Sequence, residues 1–421
     1  MSAIAPSSQS AASLTTKEAV FPILLSLGFC HLLNDLMQSL LPALYPMLKA
    51  QLHLDFSQVG MLTLAFMLTA SLLQPQIGMF TDKKPLPYSL AVGMAGTLTG
   101  LVLLSMAESY TAVLLAACFI GTGSAVFHPE ASRVARAASG GRYGIAQSIF
   151  QVGGNLGGAI GPLLAAFIIL PRGQGSIAWF SLAALLAMMV LTRVGMWYSA
   201  RLREANEELR AAHPQGKDAK HAPPPAPAAG VVFFVGLLMV LVFSKNAYNS
   251  SITTFFTFYL MEHFSLPVRD AQVQLFVYMA AVAMGTLVGG HISDKIGRRP
   301  MIWISILGAL PFTLMLPYAN LFWTGVLTIV IALMMASAFP AILVYAHELL
   351  PGRVGMVSGM FFGFSFGLGG LAAAGLGRLA DAYGIVFVYH LTAWLPVIGL
   401  LVWFLPDLEK DRFRKAGSVS A

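Results

Sequence analysis

His31, Asn34, Asp35 and Gln38 fall at positions i, i+3, i+4 and i+7 of an otherwise apolar stretch, FPILLSLGFCHLLNDLMQSLLPALYP. That spacing puts all four side chains on one face of a helix. The result is a polar stripe, with Pro42 and Pro46 distorting the helix further along. Burial disfavours the charged form of a carboxyl group. Asp35 is therefore a candidate to take up and release a proton, or to meet a polar ligand; the alternative is a buried acid hydrogen-bonded to a neighbouring helix. His31 reads equally as a ligand-facing group or as a packed core residue. A second stripe holds Lys245, Tyr248, Asn249 and Thr253, again on one face. It offers a fixed cation, which suits an anionic ligand or neutralises Asp35.

Two further clusters carry charge. His128-Pro129-Glu130 interrupts an apolar run with a proline. His128 and Glu130, two residues apart, point to different sides and cannot hold one small ligand jointly. Glu130 and Arg133 are three apart, the spacing of a structural ion pair. His347 and Glu348 end another apolar run close to Arg353, where the same alternative applies. The candidates for proton chemistry are thus Asp35, His128, Glu130 and Glu348. The candidates for ligand contact are His31, Asn34, Gln38, Gln151, Asn155, Lys245, Tyr248 and Asn249. Of the many aromatic residues, Phe127, Phe150 and Phe255 are candidates to shape a cavity.

The elements that hold these groups must be helices in lipid. Hydrophobic residues make up 57% of the 421 residues and charged residues 10%, against about 25% charged in soluble domains. A bilayer crossing needs about 20 apolar residues. Twelve stretches qualify, near 22–48, 57–80, 88–107, 111–137, 143–170, 176–198, 231–260, 271–292, 300–317, 321–348, 354–377 and 384–405. The expected fold class is an all-α polytopic membrane protein of twelve transmembrane helices in two six-helix pseudo-symmetric halves. The expected layout is a disordered tail over 1–20, a six-helix bundle over 21–200, a linker over 201–229, a second bundle over 230–406 and a tail over 407–421. The linker opens with the charged, helix-like RLREANEELR and ends in APPPAPAAG, whose prolines exclude a helix.

Basic residues give an orientation. Twenty lysines and arginines lie in the loops and termini on the tail side, and four (Lys49, Arg172, Arg269 and Arg378) lie opposite. By the positive-inside rule both termini are cytoplasmic. The net charge of +7 follows from this asymmetry and gives no reason to invoke nucleic acid. Cys30 and Cys118 both sit in apolar stretches, so neither a disulfide framework nor a metal motif is expected, and no cofactor.

The two halves repeat one another. GMFTDKK starts at Gly78 and GHISDKIGRR at Gly290, 212 positions on. GRYGIAQSIF at Gly141 matches GRVGMVSGMF at Gly352, and Phe29-Cys30-His31 matches Phe243-Ser244-Lys245. The repeat sets His31 against Lys245 and Asp35 against Asn249. Six spans per half and a near-constant offset imply parallel repeats around a central cavity. Glycines add a packing signal: Gly153, Gly157 and Gly161 recur every four residues, as do Gly355, Gly359, Gly363 and Gly367, which lets helices approach closely. Gln147, Gln151 and Asn155 recur on roughly the opposite side of the fifth span.

With these motifs the chain resembles the major facilitator superfamily, whose hallmark loop GxxxDKxGRR is matched in full from Gly290 to Arg299. The first copy keeps Gly78, Asp82 and Lys83 and breaks at Pro85. The resemblance implies a cytoplasmic gate formed by Gly78, Asp82, Lys83, Gly290, Asp294, Lys295, Gly297, Arg298 and Arg299, with Asp82 and Asp294 paired to basic groups. Gly157-x3-Gly161-Pro162 resembles the superfamily's antiporter signature, except that its following glycine pair is Ala165-Ala166 here. HLLNDLMQSLLPALYP, FHPEASRVARAASGGRYGIAQSIFQVGGNLGGAIGP and AHELLPGRVGMVSGMFFGFSFGLGGLAAAGLG look like the fosmidomycin-resistance branch. That resemblance implies a monomeric bacterial inner-membrane exporter that exchanges protons for a small phosphonate antibiotic by alternating access. A proton symporter importing a small organic anion fits the charged residues as well. A polytopic membrane enzyme would need a nucleophile and base; Ser124 and His128, four apart, are the nearest approach to one, with no nucleophile elbow or metal signature, and the lack of a phosphate-binding loop argues against ATP-driven transport.

Overall fold

The computed structural model describes residues 15–212, 229–350 and 354–406, and among these every regular element is a helix. The chain divides into two compact units, Met1–Ala222 and Pro223–Ala421. In the first unit the principal helices are α1 (Phe21–Ala43), α2 (Tyr45–Leu52), α3 (Phe56–Lys83), α4 (Ser89–Ser105), α5 (Tyr110–Ala137), α6 (Tyr143–Leu164) and α7 (Phe180–Ala212). In the second they are α8 (Ala229–Phe264), α9 (Val268–Ile296), α10 (Arg298–Ile306), α11 (Leu310–Met315), α12 (Leu321–Ala336), α13 (Ala338–Leu349), α14 (Val354–Tyr383) and α15 (Ile385–Thr392), followed by a 3-10 stretch, Leu395–Phe404. Ten helical stretches of the described residues are long and apolar enough to cross a membrane. Ser89–Ser105 is a shorter apolar helix, and the 30-residue α14 lies at the eleventh expected span.

Local sequence explains the boundaries. Proline enters α1 at its first turn, where a missing N–H costs nothing. Pro42 and Pro46 flank the break at Leu44 between α1 and α2. Asp55 caps α3 in a reciprocal box: its carboxylate accepts from Gln58 N at 2.6 Å, and Gln58 Oε1 accepts from Asp55 N at 3.0 Å. Asn320 caps α12 by accepting from Trp323 N at 3.0 Å. Exposed Thr99, Thr122 and Thr192 return their hydroxyls to carbonyls one turn back, at 2.9, 2.8 and 2.7 Å. Facing lipid, a hydroxyl has no other partner.

One expectation about boundaries is corrected. The hallmark segments are largely helical rather than loops. α3 runs through Asp82 and stops at Lys83, because Lys84, the residue before Pro85, is driven out of the helical region. α9 runs through Asp294 and Lys295 to Ile296 and stops at Gly297, whose φ of 93° suits only glycine. The charged stretch after residue 200 is helical, as its sequence suggests, and continues α7 to Ala212. It is rich in good helix formers, and Arg201 pairs with Glu204 and Glu208 at 3.1 and 3.4 Å. The proline-rich part of the expected linker and both expected tails lie mostly outside the described residues.

Lipid is as apolar as a leucine side chain, so helix association rests on shape rather than on apolar burial. In the first unit α1 packs along α6, while α5 packs chiefly on α3 and α4. The glycines of α6 make the first contact possible. A Cβ at Gly153 would overlap the Gly28 carbonyl, one at Gly157 the Leu32 carbonyl, and one at Gly161 the Ser39 hydroxyl. In the second unit Leu238, Leu241 and Val242 of α8 meet Ile302 and Ile306 of α10, Ile342 and Tyr345 of α13, and Phe361 of α14.

Candidate functional site

The stripe on α1 is buried on its α6 and α5 sides. His31 lies against two aromatic rings on one side: its ring stacks on Phe150 with centroids 3.9 Å apart, and Phe127 tilts against it at 5.7 Å. Its Nδ1 lies 2.7 Å from the Phe150 carbonyl. A carbonyl only accepts, so Nδ1 carries a hydrogen and Nε2 is turned inward. The fold brings His128 of α5 to the same place. Its Nδ1 lies 3.0 Å from the Ser124 carbonyl, which again fixes Nδ1 as the donor. The two Nε2 atoms then face one another at 3.3 Å. Asp35 completes the group, with Oδ2 3.2 Å from His31 Nε2 and Oδ1 3.7 Å from His128 Nε2. Asn34 Nδ2 and Gln38 Nε2 donate to Asp35 Oδ1 at 3.0 and 3.3 Å.

Hydrogen-bond bookkeeping sets the charge state of this triad. With both Nδ1 hydrogens committed to carbonyls, two neutral rings would present lone pairs to each other and to a carboxylate. The Nε2–Nε2 contact needs a positive hydrogen between the rings, balanced by Asp35. His31 is 4% exposed, but His128 and Asp35 each keep 26% of their side-chain surface open. The group is thus held dry on one side and reachable on the other. Sequence spacing identifies His31 and Asp35 as one face; it does not pair them with His128, which is 97 residues away from His31. Nor does spacing single out Gly154. A Cβ there would strike the His31 ring and come within 2.8 Å of Asp35 Oδ2, so only glycine leaves room for the triad.

Glu130 is grouped elsewhere. It is 1% exposed and faces the α3–α4 connection. Arg133 Nη1 and Thr81 Oγ1 donate to its Oε1 at 2.8 and 2.5 Å, and Ser89 Oγ donates to its Oε2 at 3.1 Å. Arg133 Nη2 also donates to the Gly78 carbonyl at 3.2 Å. This is the ion pair that the three-residue spacing suggested, extended by two hydroxyls into a clamp on the first hallmark segment. The Ser124–His128 pair does not form a nucleophile and base: Ser124 Oγ is 3.2 Å from His128 Nδ1, the nitrogen that already carries a hydrogen.

On α6, Gln151 and Asn155 are partly buried, and Asn155 Nδ2 has no hydrogen-bond partner among the described residues. In the second unit Tyr248 is buried and Asn249 Oδ1 accepts from the Tyr278 hydroxyl at 3.0 Å. Phe255 is fully buried core. Lys245 Nζ rests over the Phe339 ring, 5.1 Å from its centroid. Among the described residues it forms no ion pair; the groups that face Asp35, His31 and His128, belong to the first unit. Tyr278, Tyr259 and Tyr389 were not singled out; the latter two stack at 4.1 Å. Of the expected gate, Arg299 Nη2 donates to the Trp403 carbonyl at 3.0 Å, Lys295 is exposed and Arg298 partly buried. The side chains of Asp82, Lys83, Asp294 and Glu348, together with Gly290, lie outside the described residues. No metal spacing is visible in the sequence, yet donor atoms of His31, Asp35 and His128 lie within 4.8 Å of one another.

Comparison with known proteins places this architecture. A model described as Major Facilitator Superfamily matches residues 27–267 and 237–420. The chain is 56% identical over 402 residues to the fosmidomycin resistance protein of Escherichia coli (strain K12), covering 96% of this chain and 97% of that one. It is 40% identical over 394 residues to the uncharacterized MFS-type transporter YfnC of Bacillus subtilis (strain 168), covering 93% and 95%. Among solved structures it resembles a peptide transporter POT in complex with sulfate, with a TM-score of 0.72 at 14% identity over 94% of this chain and 96% of that one. It also resembles a D-xylose-proton symporter, with a TM-score of 0.69 at 15% identity over 93% and 99%. Identities this low show the fold alone.

Proposed function

The chain belongs to the major facilitator superfamily, in its fosmidomycin-resistance branch, and from that premise we propose that it exports a small phosphonate drug, fosmidomycin or a near analogue, in exchange for protons. It is a multi-pass membrane transporter, and the similarity over nearly the whole chain supports drug efflux. The proposed setting is the bacterial inner membrane, with a monomer whose termini are both cytoplasmic.

The observation that carries the proton coupling is the triad. Two imidazole Nε2 atoms and a carboxylate converge within 3.7 Å of one another, so adding or removing a hydrogen there changes how α1 is tied to α5. Alternating access requires such a dependence of conformation on occupancy. Each charge moved across 100 mV is worth about 2.3 kcal/mol, enough to drive a substantial drug gradient. Lys245, which forms no ion pair among the described residues, suits the anionic end of a phosphonate. Import of a small organic anion by proton symport would use the same groups, and the direction of transport under an imposed gradient separates the two.

The test is fosmidomycin susceptibility of efflux-deficient bacteria expressing the wild type or Asp35→Asn at matched membrane levels, with proton movement followed in everted vesicles on drug addition. The expected result is resistance and drug-linked proton movement with wild type, both lost with Asn. Undiminished resistance with Asn removes the triad from the coupling path. No resistance with wild type removes the proposed drug.

A further inference from the structure

We infer that His31, Asp35 and His128 form a binding site for one divalent transition-metal ion of the zinc class. The inference goes beyond drug export and stands on the geometry of the donors, whatever the chain transports.

Zinc binds imidazole nitrogen at about 2.0–2.1 Å and carboxylate oxygen at about 2.0–2.2 Å, with tetrahedral geometry. Neighbouring donors of such a site are therefore about 3.3–3.6 Å apart, the edge of that tetrahedron. Here the two Nε2 atoms are 3.3 Å apart; His31 Nε2 lies 3.2 Å from Asp35 Oδ2, and His128 Nε2 lies 3.7 Å from the other oxygen, Oδ1. The two nitrogens already sit at that spacing, and a turn of the carboxylate brings one oxygen toward both.

The surrounding shell has the form that metal-ligating histidines require. Each ring donates its other N–H to a backbone carbonyl: His31 to Phe150 at 2.7 Å and His128 to Ser124 at 3.0 Å. Such bonds fix the tautomer and aim the lone pair of Nε2 at the metal. Asn34 and Gln38 hold the carboxylate by donating to Oδ1. Phe127 and Phe150 wall the His31 ring from one side. Two nitrogens and one carboxylate favour zinc, cobalt, nickel or copper over magnesium or calcium, which prefer oxygen donors. The open quarter of Asp35 and His128 leaves both an entry path and a fourth position for water or for an anionic ligand. A cation of charge two also replaces the positive hydrogen that the two facing Nε2 atoms otherwise need.

The experiment uses the full chain, purified in detergent with any polyhistidine tag removed and stripped with chelator. Co2+ is titrated in as a spectroscopic probe, and Zn2+ is then used to displace it. One equivalent of Co2+ is expected, with the intense visible bands of four-coordinate cobalt; Zn2+ abolishes them and Mg2+ does not. His128→Gln, whose side chain is partly exposed, is expected to weaken binding by more than about a hundredfold, beyond the 10–100-fold effect of losing an outer-shell partner. His31→Gln should do the same, provided its elution and thermal midpoint match the wild type. His263→Gln, an exposed site on α8, should leave binding unchanged. Wild type that takes up no stoichiometric Co2+ or Zn2+, or His128→Gln that binds as wild type does, overturns the site. Neither readout involves transport, so failure of the site and failure of the proposed drug export are told apart.

Discussion

Replacing Gly154 by alanine adds one methyl group at the point where α6 passes the triad. That methyl would overlap the His31 ring and stand 2.8 Å from Asp35 Oδ2. The ring has little freedom to retreat, because Phe150 stacks on it at 3.9 Å and its Nδ1 hydrogen is bound to the Phe150 carbonyl at 2.7 Å. Two routes are open. Either α1 and α6 separate, an overpacking that typically costs about 1–3 kcal/mol. Or the ring swings away and gives up the hydrogen bond, about 1 kcal/mol, together with the stack, about 1 kcal/mol. Both routes come to about 2 kcal/mol, or roughly thirtyfold fewer molecules with the triad assembled. The prediction is that Gly154→Ala reaches the membrane and lowers the initial rate of drug export by at least about tenfold, with a smaller change in KM. The rate is measured in vesicles at matched protein level. Gly236→Ala is the control, since a Cβ there meets open space. Equal, wild-type-like rates for the two variants would refute the argument, because the triad would then tolerate the displacement that the geometry demands.

Other outcomes follow from the same structure. Glu130→Gln should lower the thermal midpoint in detergent by several degrees without removing metal binding, because it removes the charge paired with Arg133 and leaves one acceptor oxygen where two served Arg133, Thr81 and Ser89; loss of a buried pair costs about 3 kcal/mol, at the low end here because Arg133 keeps 18% of its surface. A variant as stable as wild type would dissolve the clamp. Lys245→Gln should reduce export of an anionic drug more than tenfold while leaving the midpoint within about two degrees; equal export of the drug by both proteins would remove Lys245 from the ligand's path. Arg201→Ala should change stability by less than about 1 kcal/mol, since Glu204 and Glu208 are 62% and 58% exposed. A large drop in its midpoint would show that the α7 extension does more than solvate.

Patterns internal to one helix were legible in the sequence, and relations between helices were legible only in part. The i, i+3, i+4, i+7 stripe on α1 and the four-residue glycine ladder on α6 are periodicities, and both appear in the structure where periodicity puts them. The Glu130–Arg133 pair follows from spacing as well. The third member of the triad does not. His128 is brought to His31 by the crossing of α5 over α1, and nothing in the spacing around Pro129 encodes that crossing. The tautomers of both rings depend on carbonyls of Phe150 and Ser124, backbone atoms that every residue possesses and that no side-chain pattern reports. Thr81 and Ser89 were missed for a related reason, since hydroxyls in apolar helices most often return to their own backbone, as Thr69 does. The hallmark segments misled in the other direction. Their charges and glycines read as loop, yet α9 continues to Ile296 because only Gly297 breaks it.

The glycine contacts between α1 and α6 have a mechanical consequence. Backbone lies against backbone at Gly153 and Gly157, so at these two points no side chain stands between the helices to bend or change rotamer. α1 and α6 therefore behave as one stiff plank, with His31 and Asp35 fastened to it. α5, which carries His128, belongs with α3 and α4 to a second group of helices. The Nε2–Nε2 separation of 3.3 Å thus measures the offset of one plank from the other, and a slip of a single ångström would open it past hydrogen-bond range. The triad works as a vernier inside the N-terminal half, turning a displacement too small to alter the fold into the presence or absence of one bond.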